Sequence, residues 1–523
     1  MNIIPKPNGH CELQKGCFPA RDLVSVNIGE FDPICLRAFE ARTNKKLEVA
    51  SPEQASLLLV RDTNLSPEGY TLRVGVNAIV ITASAESGAI WALATLHSLQ
   101  KKGDYPALYL EDAPKYAHRG FSLDCARHFF PVQTVKEIIE LNSLVKLNVL
   151  HWHLCDDQGW RIESKSFPKL HQTNGQDYFT QDEIRDIVAF AKVRGVEVIP
   201  EIDMPGHTSA VLAAYPELSC MGEPVTIKNR AGIFSTILCG GDENTYTFIK
   251  ALLDEIYPLF DSPYFHIGGD EAPKTVWEKC PKCQAKLSEI GSDDFEDLQG
   301  HFLQTIAKHL GEKGKIPFCW SDTLTSQKRP NPLVIQQWLE LGRPPLTKSY
   351  IEAGGLVVFS DMFCLYLDYP EAITPLSRVY HYSPALNGTD LSDHPFCLGI
   401  EACVWCERIT SKEALYQRIY PRLFAVAEAA WTNERNYANF RQRLAPKLAE
   451  MAAQGLPFFS LNKCNPTGVI RTLQVLKTLK ILSNVMDNDD EGTLPISPDT
   501  LTQFLAGFDI KIPKMFLPSQ SKN

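Results

Sequence analysis

The sequence predicts an α/β protein: a (β/α)8 TIM barrel, preceded by a small α+β domain and followed by a helical C-terminal extension. Eight short apolar runs occur between residues 119 and 405, and helical stretches separate most of them. Apolar runs without polar alternation are typical of strands buried on both faces. Eight strand–helix units over roughly 310 residues fit one barrel. An open doubly wound sheet is the alternative, but no Gly-rich dinucleotide loop follows the first strand.

The segments on either side of the barrel have different patterns. Residues 1–113 contain the strand-like run GYTLRVGVNAIVITASAESG and then the amphipathic helix AIWALATLHSLQKK, which indicates a small α+β domain. The barrel is predicted at 114–462, after the junction EDAPKY. Residues 463–523, which include the acidic stretch MDNDDEG, are predicted to form a partly helical appendage without an assigned role.

Composition and charge restrict the possible functions. The chain has 523 residues, a formal net charge of -10 and no run of Lys or Arg longer than a pair. This argues against a surface for nucleic acid or anionic membranes and favours neutral substrates. The first residues show no signal-peptide pattern, and no stretch reaches the ~18 apolar residues of a membrane span. We therefore expect a cytoplasmic protein.

The cysteines and histidines raise the question of metal binding. Fifteen cysteines are an odd number scattered through apolar runs, so buried free thiols and a reducing compartment are expected. Two CxxC pairs, Cys280/Cys283 and Cys403/Cys406, could together hold zinc, but 119 residues separate them. His151 and His153 could also bind a metal, but no third ligand with suitable spacing accompanies them. The interpretation we favour has no metal and no cofactor.

Polar and aromatic residues collect where each predicted strand ends. In barrels of this kind, the C-terminal ends of the strands carry the active site. Burying unpaired carboxylates costs several kcal/mol, so these residues are hard to explain as core. They are Asp124, Arg127, Asp156, Asp157, Glu201, Asp203, His207, Asp270, Glu271, Trp320, Trp338, Tyr366, Asp368, Trp405 and Glu407.

Asp270 and Glu271 form the most informative pair. They follow Gly268 and Gly269, which allow a tight turn that a ligand can approach closely. Adjacent carboxylates repel, which tends to raise the pKa of one of them and suits a general acid for glycosidic cleavage. Side chains of sequence neighbours diverge, so the two can hardly flank the anomeric carbon about 5 Å apart, as an ordinary retaining pair does. One of them must have another role.

Five motifs resemble those of family 20 glycoside hydrolases, the β-N-acetylhexosaminidases: HIGGDE, RGFSLDCARHFFP, LNVLHWHLCDDQGWRIES, EIDMPGH and ACVWCE. The resemblance is close over residues 114–462 and loose over the N-terminal domain. In this family the substrate supplies the nucleophile, its 2-acetamido oxygen. The resemblance implies that Glu271 acts as acid and then base, while Asp270 orients the acetamido N–H and stabilises the developing positive charge.

The resemblance also implies roles for other strand-end residues. Asp156 and His207 should form a buried relay that tunes Glu271. The implied sugar-binding residues are Arg127 for the hydroxyls, Tyr366 for the acetamido carbonyl, Asp368 and Glu407 for the 4- and 6-hydroxyls, and Trp320, Trp338 and Trp405 as aromatic walls. Arg119 and Asp124 are predicted to form a structural charge pair under the site.

The predicted function is that of an exo-acting, retaining β-N-acetylhexosaminidase that releases GlcNAc or GalNAc from a glycan or oligosaccharide. The alternatives are a disaccharide-releasing enzyme similar to lacto-N-biosidases, a non-catalytic sugar-binding relative and a barrel metalloenzyme. Hydrogen bonds to both the 4- and the 6-hydroxyl argue against the disaccharide-releasing enzyme. A complete carboxyl pair argues against the non-catalytic relative. Neither nucleic acid nor membrane is an expected partner, and the oligomeric state stays open.

Overall fold

A computed structural model describes residues 2–101, 103–175, 177–339, 345–486 and 507–508 of the chain. The N-terminal part is a mixed sheet with two helices, α1 (Ile34–Thr43) and α2 (Glu86–Leu99). Its strands are β1 (Cys11–Pro19), β2 (Ser25–Asn27), β3 (Glu48–Val49), β4 (Leu57–Arg61), β5 (Tyr70–Val74), β6 (Ile79–Ala83) and β7 (Asp104–Asp112). They lie in the order β1-β7-β5-β6-β4-β2-β3.

Helix α2 was predicted to be amphipathic, but it is buried on almost every side. All residues from 88 to 96 are buried, including Trp91. The helix lies between the N-terminal sheet and the barrel, and a Cβ on Gly195 of the barrel domain would lie 3.0 Å from the Trp91 ring. A helix covered on two sides needs no polar face, which explains its uniformly apolar sequence.

Eight parallel strands close the predicted barrel, and each of the eight apolar runs supplies one of them. The closed order is β12-β13-β14-β15-β16-β19-β8-β9. Two short hairpins, β10–β11 and β17–β18, lie outside the barrel. The strands are β8 (His118–Asp124), β9 (Val149–His153), β10 (Cys155–Asp156), β11 (Gly159–Trp160), β12 (Glu197–Glu201), β13 (Tyr264–His266), β14 (Ile316–Trp320), β15 (Val334–Gln337), β16 (Leu356–Phe359), β17 (Ala385–Leu386), β18 (Thr389–Asp390) and β19 (Cys397–Val404).

The strand register brings the chemistry to one end of the barrel. Asp124 pairs with His153, His153 with Glu201, and Glu201 with His266, and each is the last residue of its strand. Parallel strands in register place their C-terminal ends at the same edge of the barrel. The residues that follow therefore open onto a common space.

Helices surround the barrel, but not at every position. Only a 3-10 turn, Ser321–Thr325, connects β14 to β15. The helices are α3 (Val132–Leu144), α4 (Lys169–Gln172), α5 (Gln181–Lys192), α6 (Ser209–Ala214), α7 (Glu243–Ile256), α8 (Thr275–Lys279), α9 (Pro281–Glu289), α10 (Phe295–Glu312), α11 (Leu346–Glu352), α12 (Met362–Leu365), α13 (Leu376–His381), α14 (Lys412–Ile419), α15 (Arg422–Trp431), α16 (Tyr437–Ala453) and α17 (Gly468–Met486). Asp242 and Asp294 cap α7 and α10, because their side chains accept from backbone N–H groups of the first turn.

The C-terminal helix α17 packs beside the open end of the barrel. Val475 forms an apolar cluster with Ala372, Ile373 and Phe508, and Arg471 Nε donates to the Ala372 carbonyl at 3.0 Å. The acidic stretch that follows, 487–492, lies outside the described residues. In the part of the chain that the structure describes, no helix combines the length and the apolarity needed to cross a membrane.

Buried charges join the N-terminal domain to the other end of the barrel. Arg119 lies at the start of β8 and its Nη2 is 2.6 Å from Glu68 Oε1. The prediction that Arg119 pairs with Asp124 is therefore wrong. The two residues are five positions apart on one strand, so their side chains point to opposite faces and lie at opposite ends. Asp124 instead accepts from the backbone N–H of Cys406 at 2.9 Å.

Candidate active site

A cavity of about 660 Å³ opens at the C-terminal end of the barrel. It collects all but one of the residues that the sequence assigned to the site, and Trp320 is the exception. The predicted residues that line it are Arg127, Asp156, His207, Asp270, Glu271, Trp338, Tyr366, Asp368, Trp405 and Glu407. Trp320 lies beneath, 1% exposed, and its Nε1 donates to Glu201 Oε1 at 2.8 Å.

The turn before Asp270 depends on two glycines. Gly268 (φ 65°) and Gly269 (φ 98°) both have left-handed backbones. A Cβ on Gly268 would lie 1.6 Å from Asp203 Oδ1, and the Gly269 N–H donates to that oxygen at 3.2 Å. Glu271 follows at φ 45°, a conformation that costs energy for a residue with a side chain. Asp203 and the two glycines thus determine the path of the backbone from strand β13 to the carboxyl pair.

His207 connects the carboxyl pair to the barrel floor. Its Nε2 lies 3.5 Å from Glu271 Oε2 and 3.8 Å from Asp270 Oδ2. Its Nδ1 lies 3.2 Å from Asp156 Oδ1 and 3.3 Å from Asp157 Oδ2. Burial lowers the pKa of His207, but the charge of Asp156 and hydrogen bonds to the surrounding carboxylates outweigh burial and raise it well above its usual range. The imidazole is therefore a buried cation beside Glu271.

The relay continues below the cavity through buried His and Glu side chains. His153 Nε2 lies 2.9 Å from Asp156 Oδ2, and its Nδ1 contacts Glu201. His151 Nδ1 lies 2.8 Å from Glu401 Oε1. Both histidines of the His-Trp-His motif are thus engaged by carboxylates. The charges of Glu401 and Glu201 outweigh burial and raise the pKa of His151 to about 9.

Asp156 is held ionised by the cations around it. Burial raises the pKa of its carboxyl, but the charges of Arg127 and His207 and hydrogen bonds from His153 and His207 hold it below the usual range. Arg127 Nη2 lies 2.8 Å from Asp156 Oδ2. The Arg127 guanidinium also lies 5.0 Å from the centre of the Trp405 ring. Arg127 thus contacts both the relay and the Trp405 ring.

Asp270 has a buried oxygen that lacks a protein donor. Within the described residues its Oδ1 has no hydrogen-bond partner and is inaccessible to solvent. Burial and the nearby charge of Asp203 raise the pKa of Asp270 well above its usual range. A buried, unsatisfied carboxylate oxygen costs free energy unless a ligand pairs with it. Asp270 thus carries a buried acceptor that no described protein group satisfies.

Asp368 and Glu407 form a second acidic pair in the cavity. Burial and the charge of Glu407 raise the pKa of Asp368 to about 7, and Asp368 Oδ1 has no partner among the described residues. Burial also raises the pKa of Glu407, although the charge of Arg127 opposes the shift. Two buried carboxyls that line one cavity, one of them with an unpaired oxygen, suit the hydroxyl groups of a sugar.

Three aromatic rings bound the space between these carboxylates. Trp338 stacks on Tyr366 with ring centres 6.3 Å apart and planes 12° apart. Tyr366 meets Trp405 edge-on at 5.9 Å. The Trp338 Nε1 donates to Asp322 Oδ2 at 2.8 Å, which fixes its ring. Burial raises the pKa of the Tyr366 phenol well above its usual range, so this hydroxyl keeps its proton and can donate.

Several lining residues had no predicted role. Asp203 stands in the EIDMPGH motif at a strand end, so its position gave a usable signal. Gln474, Lys477 and Thr478 of α17 also line the cavity, and nothing in the sequence around them indicated this. Other lining residues without a prediction are His153, Ala231, Met362, Tyr369, Pro370, Glu371, Arg408, Ile409, Arg418 and Phe459.

The chain matches one protein family over most of its length. Residues 116–434 match "Glycosyl hydrolase family 20, catalytic domain", and residues 1–113 match "Glycosyl hydrolase family 20, domain 2". A β-hexosaminidase from Vibrio furnissii is 35% identical over 475 residues, which cover 82% of this chain and 76% of the relative. A β-hexosaminidase from Porphyromonas gingivalis is 32% identical over 503 residues, which cover 88% of this chain but only 64% of the relative.

A solved structure with the same fold is a complex with a sugar. This is the GH20 exo β-N-acetylglucosaminidase from Vibrio harveyi in complex with N-acetylglucosamine, at a TM-score of 0.77 and 30% sequence identity. The match covers 88% of this chain and 78% of the neighbour. Sequence, fold and cavity lead to the same assignment. The chain therefore belongs to glycosyl hydrolase family 20, the family of the β-N-acetylhexosaminidases.

Proposed function

We propose that Glu271 and Asp270 divide the work of an exo-acting, retaining β-N-acetylhexosaminidase. The observation that supports this most strongly is the difference between the two carboxyls. Glu271 faces the His207 cation at 3.5 Å, whereas Asp270, which also lines the cavity, has a buried oxygen without a hydrogen-bond partner among the described residues. The first environment suits proton transfer, and the second suits holding an N–H donor.

Glu271 acts on the leaving group. In the first step the acetamido oxygen of the substrate bonds to the anomeric carbon while the glycosidic C–O bond breaks. Glu271 gives its proton to the departing oxygen. In the second step the Glu271 carboxylate takes a proton from water, whose oxygen bonds to the anomeric carbon and opens the oxazolinium ring. The nearby His207 cation stabilises the carboxylate form between the two steps.

Asp270 acts on the nucleophile. The acetamido N–H of the substrate donates to the Asp270 carboxyl, and this hydrogen bond favours its ionised form. As the oxazolinium forms, positive charge develops next to that carboxylate in a cavity with little water. A preorganised charge in such a place stabilises the transition state more than the ground state.

The remaining cavity residues select a terminal sugar. Asp368 and Glu407 accept from the 4- and 6-hydroxyls, and Arg127 donates to neighbouring oxygens. Tyr366 donates to the acetamido carbonyl, while Trp338 and Trp405 cover the apolar faces of the ring. The partner proposed is thus a glycan or oligosaccharide that ends in N-acetylhexosamine. We expect no nucleic-acid or membrane partner, and the cytoplasmic location stays a prediction.

Two variants test the division of labour on an aryl N-acetyl-β-glucosaminide. Glu271→Gln keeps the shape of the side chain but cannot transfer the proton, so turnover falls nearly to background. Asp270→Ala lowers kcat by ~10²–10³, the effect of removing one preorganised stabilising group. Release of a disaccharide from longer substrates would indicate a lacto-N-biosidase-like enzyme instead. Wild-type turnover in Glu271→Gln would refute the assignment.

A further inference from the structure

Four cysteines meet at one point beside the active-site loops. Cys220, Cys239, Cys280 and Cys283 bring their sulfur atoms within 4.8 Å of one another. The Cys220 and Cys239 sulfurs are each 3.7 Å from that of Cys283, and the Cys239 and Cys280 sulfurs are 4.0 Å apart. Three of the four residues are buried, and Cys220 is partly exposed.

These distances fit a metal site better than a disulfide. A tetrahedral zinc ion with Zn–S bonds of about 2.3 Å places its sulfur ligands about 3.8 Å apart. A disulfide requires about 2.05 Å between the sulfurs, and none of the measured pairs approaches that distance. Cys220, Cys239, Cys280 and Cys283 are not joined to any cysteine by a disulfide.

The cluster also differs from the zinc site considered from the sequence. That site would have joined Cys280 and Cys283 to the pair Cys403/Cys406. In the structure Cys403 lies in a separate core with Trp320 and Tyr366, at the floor of the sugar cavity. The partners of Cys280 and Cys283 come instead from the long segment between β12 and α7. Sequence spacing alone could not indicate this, because the segment has no CxxC pair.

The surroundings hold the four sulfurs in place. Cys280 precedes helix α9 and Cys283 lies in its first turn, where the helix dipole stabilises thiolate charge. The Gly241 backbone N–H donates to the Cys239 sulfur. A Cβ on Gly241 would lie 2.3 Å from the Cys283 nitrogen, so only glycine allows this approach.

We infer that Cys220, Cys239, Cys280 and Cys283 form a structural zinc site. It lacks an open position, since all four ligands are protein thiolates, so its role is structural rather than catalytic. The expectation of no metal is thereby revised for this region. Zinc binding by these residues does not depend on the proposed activity.

The site joins the two loops that carry catalytic groups. Cys220 and Cys239 belong to the connection that begins with His207, and Cys280 lies nine positions after Glu271. Between them, Trp277 Nε1 donates to the Leu238 carbonyl at 2.9 Å, and the Leu238 N–H donates to the Pro205 carbonyl at 3.0 Å. The zinc ion would therefore hold together the loops after β12 and β13. The second of these loops carries Glu271.

The test measures metal in the full-length chain, purified under reducing conditions without chelator. Elemental analysis should find about one zinc per chain, as one tetrahedral site requires. After exchange, cobalt should give the thiolate charge-transfer and ligand-field absorption bands of tetrahedral cysteine coordination. The variant Cys239→Ala/Cys283→Ala should lose both signals. The matched control Cys35→Ala, a buried cysteine of the N-terminal domain, should keep them.

Two results would overturn the inference. One is a folded wild-type chain that contains no zinc and takes up no cobalt. The other is fewer than fifteen reactive thiols in denatured, unreduced protein together with no metal, which would show that the cluster forms disulfides. Both measurements use the wild-type chain, so they decide the matter even where a variant fails to fold. Loss of activity without loss of zinc would instead affect the proposed function alone.

Discussion

Asp368 shows how burial and a neighbouring charge can prepare a group for a sugar. Removal of its carboxyl from water and the nearby charge of Glu407 raise its pKa to about 7. Below that pH the free enzyme carries a neutral acid at this position, which accepts hydrogen bonds from hydroxyls more weakly. A bound sugar shifts the protonation equilibrium of Asp368 toward the carboxylate, because the sugar hydroxyls donate hydrogen bonds to the ionised form.

The pH dependence of kcat/KM should reveal this group, because kcat/KM reports ionisations of the free enzyme. We expect the ratio of wild-type to Asp368→Asn kcat/KM to rise about tenfold per pH unit below 7 and to level off above it. Burial also raises the pKa of Asp203 to about 7, but the ratio cancels the titrations of groups that Asp368 does not influence. At low pH the wild-type acid and the amide are both neutral and perform alike. A ratio that stays constant with pH would contradict this role for Asp368.

At the scale of elements, the loop after β13 is the most constrained part of the site. Gly268 is in contact with Asp203, which lies on the loop after β12, and each loop positions the other. Gly268→Ala adds a methyl group 1.6 Å from Asp203 Oδ1 on a left-handed backbone, so the loop must move. A displacement of about 1 Å is enough to lower kcat/KM by ~10² or more.

Assays with the same aryl glycoside check the expectation for Gly268→Ala, and Gly311→Ala is its control. Gly311 lies in helix α10, and a Cβ there meets nothing within 4 Å. Alanine favours the helix over glycine, so the control should retain activity. Full activity in Gly268→Ala would show that the loop tolerates movement and that Asp203 does not position it.

The elements were predictable where the physics is local. Eight apolar runs gave eight barrel strands, because a strand buried on both faces has no polar alternation. The absence of a helix between β14 and β15 was not predictable, because the residues of a barrel strand do not determine the structure of the segment that follows it. The contact of Lys477 with the cavity depends on long-range packing of α17 against Ala372 and Ile373, which no local pattern shows.

Among the site residues, too, those with a local sequence signal were predictable and those that depend on long-range contacts were not. Asp270 and Glu271 stood out because two carboxylates after two glycines are hard to explain as core. Their separate roles came from the family resemblance, and the unpaired Asp270 oxygen gives that division a physical basis. The Arg119–Glu68 pair and the four-cysteine cluster were missed, because each joins segments that are distant in sequence.

At the scale of the whole molecule, buried charges fasten the N-terminal domain to the barrel. Lys146 Nζ lies 2.7 Å from Asp112 Oδ2, 2.8 Å from the Tyr70 hydroxyl and 4.2 Å from the centre of the Trp431 ring. Both charged side chains are at most 1% exposed. Removing one partner of a buried pair leaves an uncompensated charge in the interior.

Lys146→Met should therefore lower the free energy of unfolding by about 3 kcal/mol, measured by urea denaturation. The matched control is Lys192→Met. Lys192 has the same distance of 2.7 Å to Asp261, but both side chains are about 60% exposed. Water screens that pair, so its loss should cost less than about 1 kcal/mol. Equal effects of the two substitutions would mean that the domain junction contributes no more than a surface contact.

The proposed mechanism requires that the acetamido oxygen of the substrate attacks the anomeric carbon of the same sugar. The direct measurement is kcat/KM for aryl glucosaminides whose N-acetyl group carries zero, one, two or three fluorine atoms. Fluorine withdraws electrons from the amide oxygen, so attack through that oxygen predicts a steep and steady fall in kcat/KM along the series. A rate that scarcely changes with fluorination would mean that a protein side chain or water attacks the anomeric carbon, and it would contradict the role given to Asp270.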